Sequence, residues 1–146
     1  MSVARTSSFV VTVVCIGCAT NSRVWDGLNH TPAVAPACAE APPLDSLIHD
    51  TTEVATRPVL SAYPDLHYPD RAREKRISGS VEVFFVVGSD GLAESASIRA
   101  IGGFDEELNT AAAQFVGASR YWPGCLRGQP VRVRTRQRVD FRISIG

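Results

Sequence analysis

The fold of this chain is decided by the stretch SVEVFFVVGSDGLAESASIRA, residues 80–100. Its first eight residues alternate between two faces, which is the period of a half-buried strand. One of these faces is uniformly apolar and consists of Val81, Val83, Phe85 and Val87. The dipeptide Asp90-Gly91 then supplies the positive φ that a tight turn requires, and residues 92–100 are predicted to return as a second strand. An antiparallel hairpin is therefore predicted at the centre of the domain.

Two helices and a third strand are predicted around this hairpin. Upstream, Tyr68-Pro69 predicts a helix start, because proline is favoured at the first helical position. Downstream, a second helix is predicted from an apolar stripe at helical spacing. The stripe consists of Phe104, Leu108, Ala111 and Phe115. Residues 131–145 alternate again and are predicted as a long last strand, preceded by a loop at residues 121–128.

The order of these elements predicts the fold class. Helix-strand-strand-helix-strand is typical of an α+β domain, here a small antiparallel three-stranded sheet with two helices packed on one face. We expect the chain to divide into three parts: a signal peptide with a lipobox-like end at residues 1–18, a flexible tether rich in Pro and Ala at 19–57, and the folded domain at 58–146.

The first 18 residues have the layout of a signal peptide. One positive charge, Arg5, precedes an apolar run at residues 9–17, well short of the roughly 20 residues needed to span a bilayer. The run ends in Ile16-Gly17-Cys18, which resembles a bacterial lipobox, with Cys15 at the position where leucine is usual. We expect lipidation at Cys18. The alternative is an uncleaved, marginal membrane helix.

The cysteines and the charge balance limit the remaining function classes. Cys15 and Cys18 form a C-x-x-C, but no second such pair or His pair completes a metal site. Cys38 and Cys125 are then left either to form one disulfide in an oxidising compartment or to stay as two free thiols. Because 15 basic and 15 acidic side chains cancel, nucleic acid is not a predicted partner. No catalytic motif is found, so neither enzymatic activity nor a cofactor is predicted.

Several short motifs in a fixed order resemble the C-terminal domain of TonB. Upstream they are Tyr68-Pro69-x-x-Ala72, Ile77 with the alternating strand to Val87, and Asp90-Gly91. Downstream they are Arg120-Tyr121, Pro123-Gly124, Gly128-x-Pro130-Val131 and Val139-x-Phe141-x-Ile143. The resemblance covers about half of the chain, from roughly Pro58 to Ile145, and its element order is the one predicted from periodicity.

The resemblance implies a non-enzymatic periplasmic module. In the TonB family this domain binds a short extended segment of an outer-membrane transporter, which adds as a strand beside the last strand of the domain. Carried over by position, the binding edge consists of Arg134, Arg136, Gln137, Arg138, Val139, Asp140 and Arg142. The arginines in this edge have two interpretations: the solvated face of a half-buried sheet, or a surface for an acidic partner or anionic lipid.

Two functions follow from the resemblance as expectations. The first is contact with outer-membrane TonB-dependent transporters, with energy transduction for transport. The alternative is an outer-membrane lipoprotein adaptor that binds envelope proteins without transmitting energy, because neither an inner-membrane helix of spanning length nor the long Pro-rich spacer of TonB is found in the sequence. We expect a periplasm-facing protein of the cell envelope, anchored in the outer membrane by lipid or, alternatively, in the inner membrane. A homodimer is left open.

Replacing the cysteine at the predicted lipidation site tests the anchor. We expect Cys18→Ser to release the full-length protein from membranes or to block its processing, because serine has no thiol to lipidate. Membrane fractionation and the intact mass of the mature protein are the measurements. An unmodified Cys18 in the mature protein would contradict the assignment.

Overall fold

The computed structural model describes residues 29–30, 36–102 and 105–143. The predicted signal peptide, with Cys15 and Cys18, lies outside the described residues, as do Phe104 and Ile145. No helix within the described ranges combines the length and the apolar character needed to cross a membrane.

The described residues form two α-helices and eight strands. In chain order these are β1 (Asn29–His30), β2 (Ile48–Asp50), β3 (Val59–Tyr63), α1 (Asp70–Glu74), β4 (Gly79–Val87), β5 (Arg99–Ile101), α2 (Glu106–Ala118), β6 (Arg120–Trp122), β7 (Gly124–Leu126) and β8 (Gln129–Phe141).

The strands form two sheets instead of the predicted single three-stranded sheet. The larger sheet has the order β2-β8-β4-β5, with β7 also paired to β8, and the smaller has the order β1-β3-β6. The α+β class is as predicted, but the strand count is wrong. The five missed strands are β1, β2, β3, β6 and β7. β7 lies within the predicted loop at 121–128, and β6 overlaps its start. Each missed strand has five residues or fewer, which is too short for alternation to be read from sequence.

The pairing of β4 with β8 forms the spine of the larger sheet. Its antiparallel register runs without a break from Gly79 opposite Phe141 to Val87 opposite Val133. On both strands most inward side chains are buried, whereas the outward ones are mainly half-buried or exposed. This is the alternation that the sequence predicts for both strands.

The predicted return strand at residues 92–100 is only partly a strand. β5 pairs with β4, and Ala93 forms a single bridge to Val87. A 3₁₀ turn at Ser95–Ser97 separates the two. In this turn the Val86 N–H donates to the Ser97 hydroxyl at 2.8 Å. The serine side chain thereby takes a main-chain donor that a continuous hairpin would have paired with another strand.

Gly91 holds the turn after β4 in place. Its φ is +80°, in the region that glycine adopts without strain. A Cβ at this position would lie 2.2 Å from the carbonyl oxygen of Tyr121. The Tyr121 N–H also donates to the Gly91 carbonyl at 2.8 Å, so the turn packs directly against the start of β6.

The hydrophobic core lies on the inner face of the larger sheet. Both helices contribute to it, α1 through Ala72 and α2 through its buried stripe. The buried members of the core are Ala72, Val81, Val83, Phe85, Val87, Leu108, Ala111, Ala112, Val116, Tyr121, Val139 and Phe141. The Asp105 carboxylate caps α2 by accepting from the Glu107 N–H at 2.8 Å, which satisfies a donor that the helix cannot.

Truncation of the Phe85 side chain tests the contribution of the core to stability. Its side chain is 2 % exposed and its ring centroid lies 5.2 Å from that of Tyr121. We expect Phe85→Ala to lower the free energy of unfolding by roughly 3–5 kcal/mol, because it leaves a cavity as well as removing apolar burial. Urea denaturation measures the effect. Phe84→Ala on the opposite, half-buried face is the matched control, and equal losses from the two variants would contradict the face assignment.

Candidate functional site

The last strand, β8, has one edge that is fully paired and one that is not. β4 pairs with it from Val133 to Phe141 on the first edge. On the second edge β2 lies parallel to it, but only opposite Arg132–Arg134. From Thr135 to Phe141 no strand among the described residues pairs with this second edge. We call this stretch the open edge.

A hydrogen bond upstream of β2 shows which main-chain groups face the open edge. The Leu44 N–H donates to the Pro130 carbonyl at 3.1 Å. Leu44 lies four residues before β2, and Pro130 lies two residues before Arg132, the first residue of β8 that pairs with β2. Because the peptide groups of alternate residues in a strand point to the same side, Arg136, Arg138 and Asp140 also face this side. Their N–H and C=O groups are therefore the ones available on the open edge.

The outward side chains beside this edge carry an excess of positive charge. Arg134, Arg136 and Arg138 are exposed, and the last two lie close to carboxylates. Arg136 lies 3.9 Å from Glu82. Arg138 donates to Asp140 at 2.9 Å. The surface is thus cationic but already contains carboxylates.

Asp140 is the most strongly held of these carboxylates. Its Oδ1 accepts from the Ser80 hydroxyl and from Arg138 Nε. The hydrogen bond from Ser80, followed by that from Arg138, lowers the pKa of Asp140 below its ordinary value. Asp140 therefore stays ionised near neutral pH, and one arginine of the row is committed to it.

On its inner side the open edge borders an incompletely filled part of the core. Thr135 and Gln137 point inward but are only half-buried. A cavity of about 320 Å³ lies beside them. Its apolar lining consists of Pro58, Leu60, Phe85 and Tyr121. We call this cavity the inner notch.

The polar wall of the inner notch is fixed by one hydrogen bond. The Tyr121 hydroxyl donates to Gln137 Oε1 at 2.8 Å. Burial raises the pKa of Tyr121 above its ordinary value, so the phenol remains a donor at neutral pH. This bond holds the Gln137 side chain against the core, away from the outward arginines.

A second hollow lies where β2 ends. It measures about 530 Å³ and shares Pro58, Thr135 and Arg136 with the inner notch. Three arginines line it, Arg57, Arg134 and Arg136, against one carboxylate, Asp50. Together the two hollows form a continuous groove along the first part of the open edge, with an apolar inner end and a cationic outer end.

Residues 36–57, which the sequence analysis assigns to a flexible tether, are attached to the domain. Cys38 and Cys125 form a disulfide. The Ala55 N–H donates to the Cys125 carbonyl at 2.8 Å, and the Cys125 N–H donates to the Thr56 carbonyl at 2.9 Å. Both ends of the segment therefore meet at Cys125, with β2 between them. We call residues 38–56 the strap.

The composition of the strap explains why it is not evident in the sequence. Cys38 is its only buried residue, so it shows no apolar pattern of the kind that predicts secondary structure. The distant cysteine partner, 87 residues away in the chain, fixes it instead.

The structure distributes the predicted site residues over three environments. Arg136, Arg138 and Asp140 lie on the open edge, and Arg142 follows it. Arg134 lies opposite β2. Gln137 faces the inner notch, and Val139 is 4 % exposed in the core, so neither presents its side chain on the outer face. Sequence reasoning missed the groove residues Pro58, Leu60 and Tyr121, which come from separate short strands or loops.

No group of three or more His, Cys, Asp or Glu residues within the described part of the chain is arranged to hold a metal ion. The open edge instead offers main-chain hydrogen-bonding groups, an apolar notch and arginines. Unpaired main-chain groups at a sheet edge are a template for the addition of another strand.

Comparison with known proteins identifies the family of the folded domain. A family model described as Gram-negative bacterial TonB protein C-terminal matches residues 64–143. The chain belongs to this family. The TonB C-terminal family consists of non-enzymatic protein-interaction domains of the Gram-negative envelope and periplasm, which interact with envelope proteins such as outer-membrane receptors. No curated protein matches the chain. The TonB C-terminal match covers β4, β8 and both helices but begins after the strap.

Arg132 joins the strap to the rest of the larger sheet. Its guanidinium donates to both carboxylate oxygens of Glu94, at 2.6 and 2.8 Å, and to the carbonyl of Ser46 at 2.6 Å. The hydrogen bond from Arg132 lowers the pKa of Glu94 below its ordinary value. The ion pair therefore stabilises the fold at neutral pH and is lost as the pH falls through that lowered pKa.

Glu94→Gln tests this ion pair. At about pH 7 we expect a small decrease in the urea midpoint relative to the parent protein, because a partly exposed pair contributes little. At an acidic pH below the lowered pKa of Glu94 the difference should vanish, since Glu94 is then protonated in the parent as well. Urea denaturation at both pH values is the measurement, and a difference that persists in acid would contradict the electrostatic explanation.

Proposed function

We propose that this protein binds an extended segment of an outer-membrane TonB-dependent transporter, which adds as a strand along the open edge of β8. The observation that carries the proposal is that Thr135–Phe141 pairs with β4 on one side and with no described strand on the other. Unpaired main-chain groups at a sheet edge supply the affinity in strand addition. The family membership supplies the class of partner.

The inner and outer sides of the open edge favour a partner segment in which apolar and acidic side chains alternate. Successive residues of an added strand point to opposite faces of the sheet. One set would point toward the inner notch, where Pro58, Leu60 and Tyr121 favour an apolar group. The other set would lie beside Arg136 and Arg138, which favour a carboxylate. The main chain would provide most of the binding energy and these side chains the selectivity.

The second candidate function is an adaptor that binds envelope proteins through the same edge without transmitting energy. The observation that favours it is the sequence Ile16-Gly17-Cys18 at the end of a short apolar run, because a lipidated Cys18 would anchor the protein at the outer membrane. The two functions differ in the membrane that holds the anchor. Fractionation of inner and outer membranes from cells that express the full-length protein separates them.

Proline at position 138 tests strand addition at the open edge. The Arg138 N–H faces the open edge, so Arg138→Pro should remove a donor for the partner without removing a bond to β4. We expect at least a tenfold loss of affinity, which is about 1.4 kcal/mol. Arg138→Ala is the matched control, because it removes the side chain but keeps the N–H, and its loss should be smaller and more pronounced at low salt.

The measurement for this test is amide-shift mapping by nuclear magnetic resonance. Synthetic peptides that copy the N-terminal segments of TonB-dependent transporters from the same organism serve as ligands, and circular dichroism checks that both variants are folded. Equal affinities of Arg138→Pro and Arg138→Ala would contradict strand addition. Shifts confined to α2, with β8 unmoved, would place the partner on another surface.

A further inference from the structure

We propose that the strap is a built-in occupant of the partner-binding edge, which limits that edge to Thr135–Phe141 and so selects for a short partner segment. The inference rests on the proposed function for its biological meaning. The pairing of β2 with this edge and the disulfide at the start of the strap are observed independently of any partner. Hydrogen bonds from Arg132 to Ser46 and from Leu44 to Pro130 also hold the strap, and we infer that the disulfide is the main constraint.

The register places β2 and the proposed ligand on one continuous line. β2 pairs with Arg132–Arg134 on the edge of β8 that faces away from β4. The open edge begins at the next residue. From 135 to 141 it spans seven residues, whereas the whole edge from 132 would span ten. A partner segment that needs more than about seven paired residues therefore meets β2 and must displace it.

The strap contributes very little apolar burial of its own. Leu47 is 65 % exposed and Ile48 is 43 % exposed. Cys38 is the only buried residue between 36 and 57. Because apolar burial is the main source of free energy for docking a segment, β2 would be a weak ligand for β8 if it were supplied as a separate peptide.

Because the strap buries little apolar surface, its covalent attachment is what keeps β2 beside β8. The disulfide and the pairing of Thr56 with Cys125 fasten both of its ends to one residue of β7, which itself pairs with β8. Attachment of this kind keeps β2 at a high effective concentration beside the edge. Opening the disulfide frees the Cys38 end, and β2 should then leave the edge for a large fraction of the time.

Hydrogen exchange on the full-length protein tests this directly. In the double variant Cys38→Ser/Cys125→Ser we expect the amides of His49, Arg132 and Arg134, which lie between β2 and β8, to exchange at least tenfold faster than in the parent protein. The amides of β4 should be unchanged, and this serves as the internal check that the domain stays folded. Unchanged protection of His49 would overturn the proposal.

A pair of proline variants keeps the test informative if the cysteine variant fails to fold. His49 lies opposite Val133, between the two residues whose main-chain groups face β2. In a parallel ladder a residue bonds to the neighbours of its partner, so the His49 N–H faces β8 and the Ile48 N–H faces away. We expect His49→Pro to speed exchange at Arg134, and Ile48→Pro to have no such effect. Equal behaviour of the two would overturn the proposed register.

A peptide experiment separates this inference from the proposed function. The probe is a synthetic peptide that copies residues 44–53. We expect it to bind His49→Pro at millimolar concentrations, with amide shifts at Arg132 and Arg134, and not to bind the parent protein. If this probe binds His49→Pro and no transporter peptide binds, the proposed partner is wrong, and the inference that β2 occupies the edge stands. Equal binding to parent and variant would show that β2 does not occupy the edge, and would sink the strap alone.

Discussion

The antiparallel pairing of β4 with β8 is the constraint on which the rest of this structure depends. Its nine residue pairs satisfy the main chain of both strands on one side and align the apolar residues of both on one face. That face needs cover, which the two helices and the smaller sheet provide. Because β4 takes up one edge of β8 so completely, only the other edge can accept the strap or a partner. The core and the candidate site are therefore two consequences of a single register.

Alternation in the sequence was sufficient to predict the two strands of this spine, because β4 and β8 have nine and thirteen residues and the two-residue pattern repeats several times in each. Their pairing with each other was not predicted. The 3.6-residue period identified α2, and Tyr68-Pro69 identified α1. Strands such as β2 and β7 have three residues each and exist because tertiary contacts hold them. No local pattern in Ile-His-Asp or Gly-Cys-Leu distinguishes such a strand from a loop.

The candidate site was predictable to a similar degree. The resemblance to the TonB family pointed to the last strand, which the structure shows to have an edge that no described strand pairs beyond Arg134. Three features required the structure: which edge of β8 is open, where β2 closes it, and the inner notch formed by Pro58, Leu60 and Tyr121. Each of them joins residues that are far apart in the chain. A pattern along the sequence does not contain that information. It also does not show that Asp140 and Glu82, on the same outer face, partly neutralise the exposed arginines of β8.

The disulfide also determines how tension would travel through the domain. If the chain upstream of Cys38 is pulled from a membrane while a partner holds the open edge, β1 is first drawn away from β3. The load then passes through the disulfide to Cys125 and from β7 straight into β8. The strap, β3, α1 and β4 lie outside this path. Without the cross-link, force would separate β2 from β8 residue by residue and would then reach β3. With it, the force is carried by the disulfide and by two neighbouring strands, β7 and β8.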